Sequence, residues 1–256
     1  MRIIIWTAVV LLIGPAAAMA GAAPPDFSGV YYPLSDATGP LAGGLPAPSV
    51  PGQPLPPPTR SGPLSDGSRG RPPNLPPLTE PYLAKWDLVA KSRTAGSSEF
   101  DVAANCLPPG MPYMMNMTYG MEIMQKRDKI TFFSEWLDAL RRVYLDGRKP
   151  TQKDLDDPTY AGFSTGHWEG DTLVVETVAI RADATLDSNY AQRSAHSKIL
   201  ERIRLVEPTL LEDEITVTDP EALTRPWVVT RRYRKAAPPN DQLREFACTE
   251  GIEHAK

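Results

Sequence analysis

The chain has 256 residues, a formal net charge of −4 and 23% charged residues, and its basic residues are scattered along the sequence. This balance excludes the strongly basic surface that attracts a nucleic-acid backbone. Two cysteines and three histidines, with no CxxC, HExxH or other paired ligand spacing, also exclude the common zinc motifs.

The first segment has the form of a secretory signal peptide. Arg2 supplies a positive charge, residues 3–13 are apolar apart from Thr7, and small residues lead up to Ala20. The apolar run is about 11 residues long, whereas about 20 are needed to cross the hydrocarbon core. We therefore expect cleavage near Ala20, a periplasmic or secreted mature protein, and no stable membrane anchor.

A Pro/Gly-rich arm follows at residues 21–78, and 17 of the 28 prolines lie between Pro24 and Pro81. Each proline removes a backbone donor and fixes φ, so the arm is predicted to be polyproline-like or partly disordered. Residues 27–32 are apolar enough to dock as an isolated strand. The sequence pattern allows residues 27–32 to be either a docked strand or part of the disordered arm.

Residues 79–256 are predicted to form a single antiparallel β domain with a leading helix at 79–95. Thr79 can cap this helix, Pro81 fits its first turn, and Tyr82, Trp86 and Val89 share one side. Beyond Met121 the apolar residues recur with period two between turn signals. Strands are predicted at residues 129–136, 141–145, 165–168, 172–178, 198–206, 210–218, 227–235 and 243–248.

Consecutive strands without helices between them indicate a mainly β, up-and-down meander. Closure alone removes the exposed edges of such a sheet, so we expect a lipocalin-like barrel, with an open, strongly bent sheet as the alternative. Export to an oxidising compartment favours a disulfide between Cys106 and Cys248.

Several strings serve as marks of a family: residues 106–112 (CLPPGMP), Asp146-Gly147-Arg148, residues 168–177 (WEGDTLVVET) and Cys248-Thr249-Glu250. Together they resemble a family of secreted bacterial proteins, over about residues 78–250 of this chain. The resemblance implies export and the pairing of the two cysteines. It implies no activity and no catalytic residue.

The first functional hypothesis is a binding protein for a small apolar or aromatic molecule, held in a mainly apolar barrel interior. A guanidinium in the cavity would bind a carboxylate on the ligand. The candidate ligand-binding residues are Arg142, Arg202, Arg231, Trp136, Tyr113 and Met115. The sequence equally allows the charged members to form cross-strand ion pairs outside the barrel.

Three other functions stay open. One is a lyase or isomerase without metal or organic cofactor, in which His196, Tyr144 and Glu135 carry protons. Another is a Cu(I)-binding protein using the thioethers of Met111, Met114 and Met117, although clustered methionines equally suit a flexible apolar lining. The last is an envelope protein that interacts through its Pro-rich arm.

The string at residues 162–166 matches the G-x-S-x-G nucleophile motif around Ser164. That motif needs a strand before the serine and a helix after it. Here a hairpin strand is predicted to follow, so the sequence does not favour a hydrolase.

Overall fold

The computed structural model describes residues 23–34, 75–116, 119–246 and 248. Nine strands form one closed barrel. The strands are β1 (Gly29–Pro33), β2 (Met121–Gln125), β3 (Lys129–Ser134), β4 (Leu140–Tyr144), β5 (Phe163–Glu169), β6 (Thr172–Val178), β7 (Lys198–Glu207), β8 (Leu210–Thr218) and β9 (Trp227–Lys235), and the helices are α1 (Glu80–Thr94) and α2 (Gln152–Asp156). The predicted closed barrel is confirmed over the open sheet.

The strand order follows the chain, and one step departs from the predicted meander. All neighbouring strands are antiparallel except β4 and β5, which are parallel through Val143 opposite Ser164 and Tyr144 opposite Thr165. Parallel neighbours require a connection that returns to the starting end of the sheet. Residues 145–162, with the short helix α2, make this return and are called the crossover below.

The barrel closes through β1, which lies inside the segment predicted as an arm. Tyr31 is paired with Met121 on one side and with Lys235 of β9 on the other. Phe27, just before the strand, is fully buried and contacts the Trp168 ring at 5.2 Å. The docked state of residues 27–32 is therefore the one that forms. The predicted signal peptide and residues 35–74 of the arm lie outside the described residues.

Helix α1 packs across one end of the barrel, as the period of its apolar residues predicts. Its buried side consists of Tyr82, Leu83, Trp86 and Val89. The Thr79 hydroxyl does not cap the helix; it donates to the Glu221 carbonyl at 2.7 Å, and the Trp86 indole donates to the Asn189 carbonyl at 3.0 Å. These bonds fix the helix to the β8–β9 and β6–β7 loops. No helix in the described part of the chain is both long and apolar enough to cross a bilayer.

One predicted strand end and one whole predicted strand are wrong. The strand predicted to reach Trp136 ends at Ser134, because Leu137 (φ 55°) and Asp138 (φ 48°) turn the chain sharply. The strand predicted at residues 243–248 does not form over 243–246 or at 248. The free edge of β9 that it needed is occupied by β1.

The Cys106–Cys248 disulfide forms as predicted, with a Cα–Cα distance of 5.7 Å. It lies beside a small second core, in which Val102, Tyr113 and Trp136 are buried together and Phe246 packs against them. Since Cys106 lies between α1 and β2 and Cys248 follows β9, the bond joins the two segments that flank β2–β9.

Candidate functional site

An ionic cluster lies inside the barrel. Arg141 of β4 points inward and is 1% exposed, and both of its terminal nitrogens donate to the carboxylate of Glu201 on β7, one of them at 2.8 Å. The same guanidinium donates to the Ser164 hydroxyl at 3.2 Å and to the Thr177 hydroxyl at 3.0 Å. Four acceptor contacts satisfy this buried cation, which would otherwise be very costly to desolvate.

The strand period explains why these polar groups are inside. Glu201 shares its face of β7 with Ile199 and Ile203, and all three are buried. Ser164 of β5 opposes Thr177 of β6, and their hydroxyls are 2.8 Å apart. Ser164 is therefore a structural partner of Arg141 within a strand, in agreement with the sequence argument against a nucleophile elbow.

A second carboxyl group, Asp213 of β8, lies in the same interior. Asp213 is fully buried and is opposite Arg231 of β9 in the strand register. The side chains of Glu201 and Arg141 are charged neighbours of its carboxyl group. Burial first, and then the nearby charge of Glu201, raise the pKa of Asp213 well above its usual value, so the neutral acid is favoured in the folded protein.

Replacing Asp213 by asparagine should stabilise the protein at neutral pH. An acid with a raised native pKa binds its proton more tightly in the folded state, so the free energy of unfolding falls as pH rises from about 3.9 towards the native pKa. In Asp213→Asn this contribution disappears, so the variant should be more stable than the parent protein at pH 7.5, and the difference should shrink as the pH falls towards 4. Urea unfolding at several pH values measures it.

An exposed carboxylate on another strand provides the control for this experiment. Glu176 points outward from β6, so Glu176→Gln should leave the pH dependence of unfolding nearly unchanged. Equal curves for the parent protein and Asp213→Asn between pH 4 and pH 8 would show that Asp213 ionises in the folded protein as it does in the unfolded chain.

The rest of the interior is filled by side chains. Burial lowers the pKa of Arg231 to about 10, and the Tyr233 hydroxyl donates to the Met115 carbonyl, which lies at the helix-bearing end. Phe132 and Tyr233 are both at most 2% exposed, and Phe132 lies 5.5 Å from the Arg141 guanidinium. The open space next to the candidate residues lies outside the barrel wall.

That open space is a groove between the outer face of β4 and the crossover. One part of the groove has a volume of about 480 Å³ and contains Leu137, Leu140, Arg142 and Tyr160. The adjoining part has about 630 Å³ and contains the Asp146-Gly147-Arg148 turn. Both parts share Tyr144, Asp154 and Phe163. Both parts are open to solvent rather than enclosed.

Backbone contacts hold the crossover at this distance from the barrel. The Met111 amide donates to the Tyr160 carbonyl at 3.0 Å, and the Arg181 amide donates to the Thr159 carbonyl at 3.0 Å. Gly162 has φ +69°, and a Cβ there would lie 2.7 Å from atoms of Thr177, Val178 and Ile180. Only glycine accepts this conformation without strain and this close approach to β6.

The floor of the groove is aromatic. The rings of Tyr144 and Phe163 lie 5.4 Å apart at a tilt of 35°. The guanidinium of Arg148 lies over Tyr144 at 4.1 Å and is held there by Asp146, to which its Nε donates at 2.9 Å. On the crossover side, Arg181 lies 5.0 Å from the ring of Tyr160. These rings provide flat apolar surface in a cleft that is otherwise polar at its rim.

The predicted ligand-binding residues are dispersed. Arg142 lines the groove. Arg202 is on the outer face of β7 and donates to Glu169 at 2.9 Å, as the alternative of outward ion pairing predicts. Arg231 points into the barrel, on the same inward face as Trp227, Val229 and Tyr233. Tyr113 and Trp136 belong to the small second core, while Met115 is in the main core.

The three candidate proton carriers do not share a cavity. His196 is in the β6–β7 loop, where its imidazole is 3.1 Å from Glu221 and the side chain is 70% exposed. Glu135 lies in the turn after β3, with its amide donating to the Gly120 carbonyl at 2.9 Å. Of the three, Tyr144 alone lines the groove. The arrangement does not assemble an acid and a base around one substrate position.

Two of the three candidate copper ligands are core residues. Met111 and Met114 are at most 5% exposed and pack in the main hydrophobic cluster, as the apolar-lining interpretation predicts. Met117 lies outside the described residues. Among the described residues, no group of three or more His, Cys, Asp or Glu side chains is placed to hold a metal ion.

Sequence reasoning missed Arg141 and Asp213. Asp213 shares its strand face with Leu211, Ile215 and Val217. The alternation of apolar residues that predicts this strand therefore also predicts that Asp213 points inward. No such signal separates Arg141 from Arg142, because each has an apolar or aromatic neighbour two residues away.

In comparisons with known proteins, the chain is partly similar in structure to solved proteins. No protein-family model and no curated protein sequence matches the chain. A mutant of the fluorescent protein UnaG has 20% identity and a TM-score of 0.28, covering 46% of this chain and 71% of that one. A secretary abundant heat soluble (SAHS) protein from Ramazzottius varieornatus has 14% identity and a TM-score of 0.30, covering 53% and 82% respectively.

Proposed function

We propose that this protein is an exported, periplasmic binding protein that holds a small apolar or aromatic molecule in the groove between β4 and the crossover. The observation that carries the proposal is the pair of tilted rings, Tyr144 and Phe163, at the point where the two parts of the groove join. Aromatic rings that face an open cleft provide large contact area and favour stacking with a flat ligand.

Export is supported by the N-terminal sequence and agrees with the disulfide between Cys106 and Cys248. It places the groove where the protein meets small molecules that enter the envelope. The mass of the protein isolated from the periplasmic fraction tests this part of the proposal. A chain that begins at Gly21 is the expected result, and an uncleaved chain in the cytoplasm contradicts it.

Truncation of the two rings should weaken binding of a flat apolar probe. With 2-naphthalenemethanol as the probe, we expect Tyr144→Ala/Phe163→Ala to raise the Kd roughly 10- to 100-fold, since each aromatic contact contributes about 1 kcal/mol beyond the area it buries. Ligand-observed NMR on the intact protein measures the change, and circular dichroism confirms that the variants are folded.

Tyr119→Ala is the matched control, because Tyr119 is also partly exposed but stacks on Trp136, away from the groove. An equal loss of affinity in this control, or full affinity in the double variant, would place the probe somewhere other than the groove.

A further inference from the structure

The groove contains an arginine without a counter-ion. The other outward-facing strand arginines each pair with a carboxylate: Arg202 with Glu169, Arg204 and Arg232 with Glu212, and Arg234 with Glu207. Arg142 makes no hydrogen bond, ion pair or ring contact among the described residues, although it lies on the outer face of β4. Among the outward-facing strand arginines of the described residues, Arg142 alone lacks a carboxylate partner, and it lines the groove.

The register of the sheet explains why Arg142 has no carboxylate beside it. Its direct neighbour on β3 is Thr131, which is neutral. On the β5 side, the next residue towards the groove is Phe163, whose ring forms the floor. The strand neighbours of Arg142 therefore offer one hydroxyl group and one apolar surface.

Two acidic residues also line this part of the groove, and neither is placed as the partner of Arg142. Asp154 accepts hydrogen bonds from the Thr151 amide at 2.8 Å and from the Thr151 hydroxyl at 2.6 Å, and these bonds lower its pKa. Asp138 is exposed in the turn before β4 and forms no ion pair with Arg142. The N–H donors of Arg142 are therefore available to bind a carboxylate of a ligand.

We infer that the ligand of the groove is a small aromatic anion, whose carboxylate is bound by Arg142 while its ring lies against Phe163 and the part of Tyr144 that Arg148 leaves uncovered. This inference rests on the proposed function and adds the chemical class of the ligand. The planar guanidinium offers two parallel N–H donors that match the two oxygens of a carboxylate. The rings beside it exclude water from one side of that pair, which strengthens a charge-assisted hydrogen bond.

The experiment compares two probes of the same shape, 2-naphthoate and 2-naphthalenemethanol, on the intact protein. We expect the parent protein to bind the carboxylate roughly 10- to 100-fold more tightly than the alcohol, because bonds between charged groups exceed neutral ones. Arg142→Ala should weaken binding of the carboxylate roughly 10- to 100-fold and binding of the alcohol far less, so that the preference is lost. Arg142→Lys should restore part of it, since an ammonium keeps the charge without the paired donors.

Arg202→Ala is the control, because it removes the same charge from the outer face of β7, outside the groove. It should keep the full preference for the carboxylate. If the parent protein binds both probes equally, or if Arg202→Ala loses the preference as fully as Arg142→Ala does, the assignment of the anion to Arg142 is wrong while the groove remains a site. If neither probe binds, the proposed function fails and the inference fails with it.

Discussion

Glu201→Gln is expected to lower the free energy of unfolding by about 3 to 5 kcal/mol, the range seen when one partner of a buried ion pair is removed. The side chains of Arg141 and Glu201 are both fully buried. The amide keeps the shape of the carboxylate but not its charge, so Arg141 would remain as a cation inside the barrel with only Ser164 and Thr177 as full hydrogen-bond partners. Urea unfolding at pH 7 measures the loss.

A second measurement tests whether Asp213 compensates for the negative charge that Glu201→Gln removes. In the parent protein the charge of Glu201 contributes to the raised pKa of Asp213, whereas Arg141 acts to lower it. Once Glu201 is neutral, its charge no longer opposes the ionisation of Asp213, so a negative charge on Asp213 is expected to offset part of that loss. Asp213→Asn should then stabilise the parent protein and destabilise Glu201→Gln. An equal effect in both backgrounds would show that the two carboxyl groups are energetically independent.

An exposed ion pair provides the control for the buried one. Glu169 pairs with Arg202 on the barrel surface, where both side chains are more than two-fifths exposed. Exposed pairs contribute little to stability because water and salt screen them. Glu169→Gln should therefore shift the unfolding midpoint far less than Glu201→Gln. Comparable shifts would indicate that burial does not set the strength of the Arg141–Glu201 interaction.

Removal of the disulfide has the second large expected effect. The two cysteines are 142 residues apart in the sequence, and in the chain-entropy model a link of that span contributes about 5 kcal/mol by restricting the unfolded chain. Cys106→Ser/Cys248→Ser should lose most of that amount in denaturant unfolding. The barrel itself should still form, because the disulfide lies beside the second core and none of the strand pairs depends on it.

Chemical reduction supplies an independent check on the size of this effect. The parent protein with dithiothreitol should unfold at the same denaturant concentration as the serine variant, and the oxidised parent should unfold at a higher one. If the reduced parent keeps the stability of the oxidised protein, the link restricts the unfolded chain far less than its span implies.

The sequence predicts the barrel well because the strand period and the turn signals are local. Strands β6 to β9 are predicted within about one residue of their observed ends, since each has a buried face of alternating aliphatic residues. Helix α1 is predicted for the same reason, at a period of 3.6. In both cases the pattern is complete within a single element.

What depends on distant partners could not be predicted in the same way. The parallel step between β4 and β5 is set by the path of the crossover over the outside of the barrel. The last predicted strand, at residues 243–248, has a suitable pattern and fails because β1 already pairs with β9. Pairing choices of this kind are decided by which edge is free when the sheet closes, and no single segment carries that information.

The site shows the same division between local and distant information. Period two places Arg141 and Arg142 on opposite faces of β4, but it does not say which face is inside. Glu201 of β7 decides which face is inside, because it accepts hydrogen bonds from Arg141 in the barrel interior. Arg142 therefore points outward and lines the groove. Asp213 is different, since its buried aliphatic neighbours made its inward position predictable.

The closure of the barrel by β1 also imposes an order in time. Tyr31 of β1 can pair with Lys235 only after β9 has been synthesised. The barrel therefore closes only when its last strand is available. Contacts between residues so far apart in sequence form slowly. During that interval the open edge of β9 is exposed to other chains. If the chain is exported unfolded, as proposed above, this stage follows export, and the Cys106–Cys248 disulfide can then form as soon as both cysteines are present.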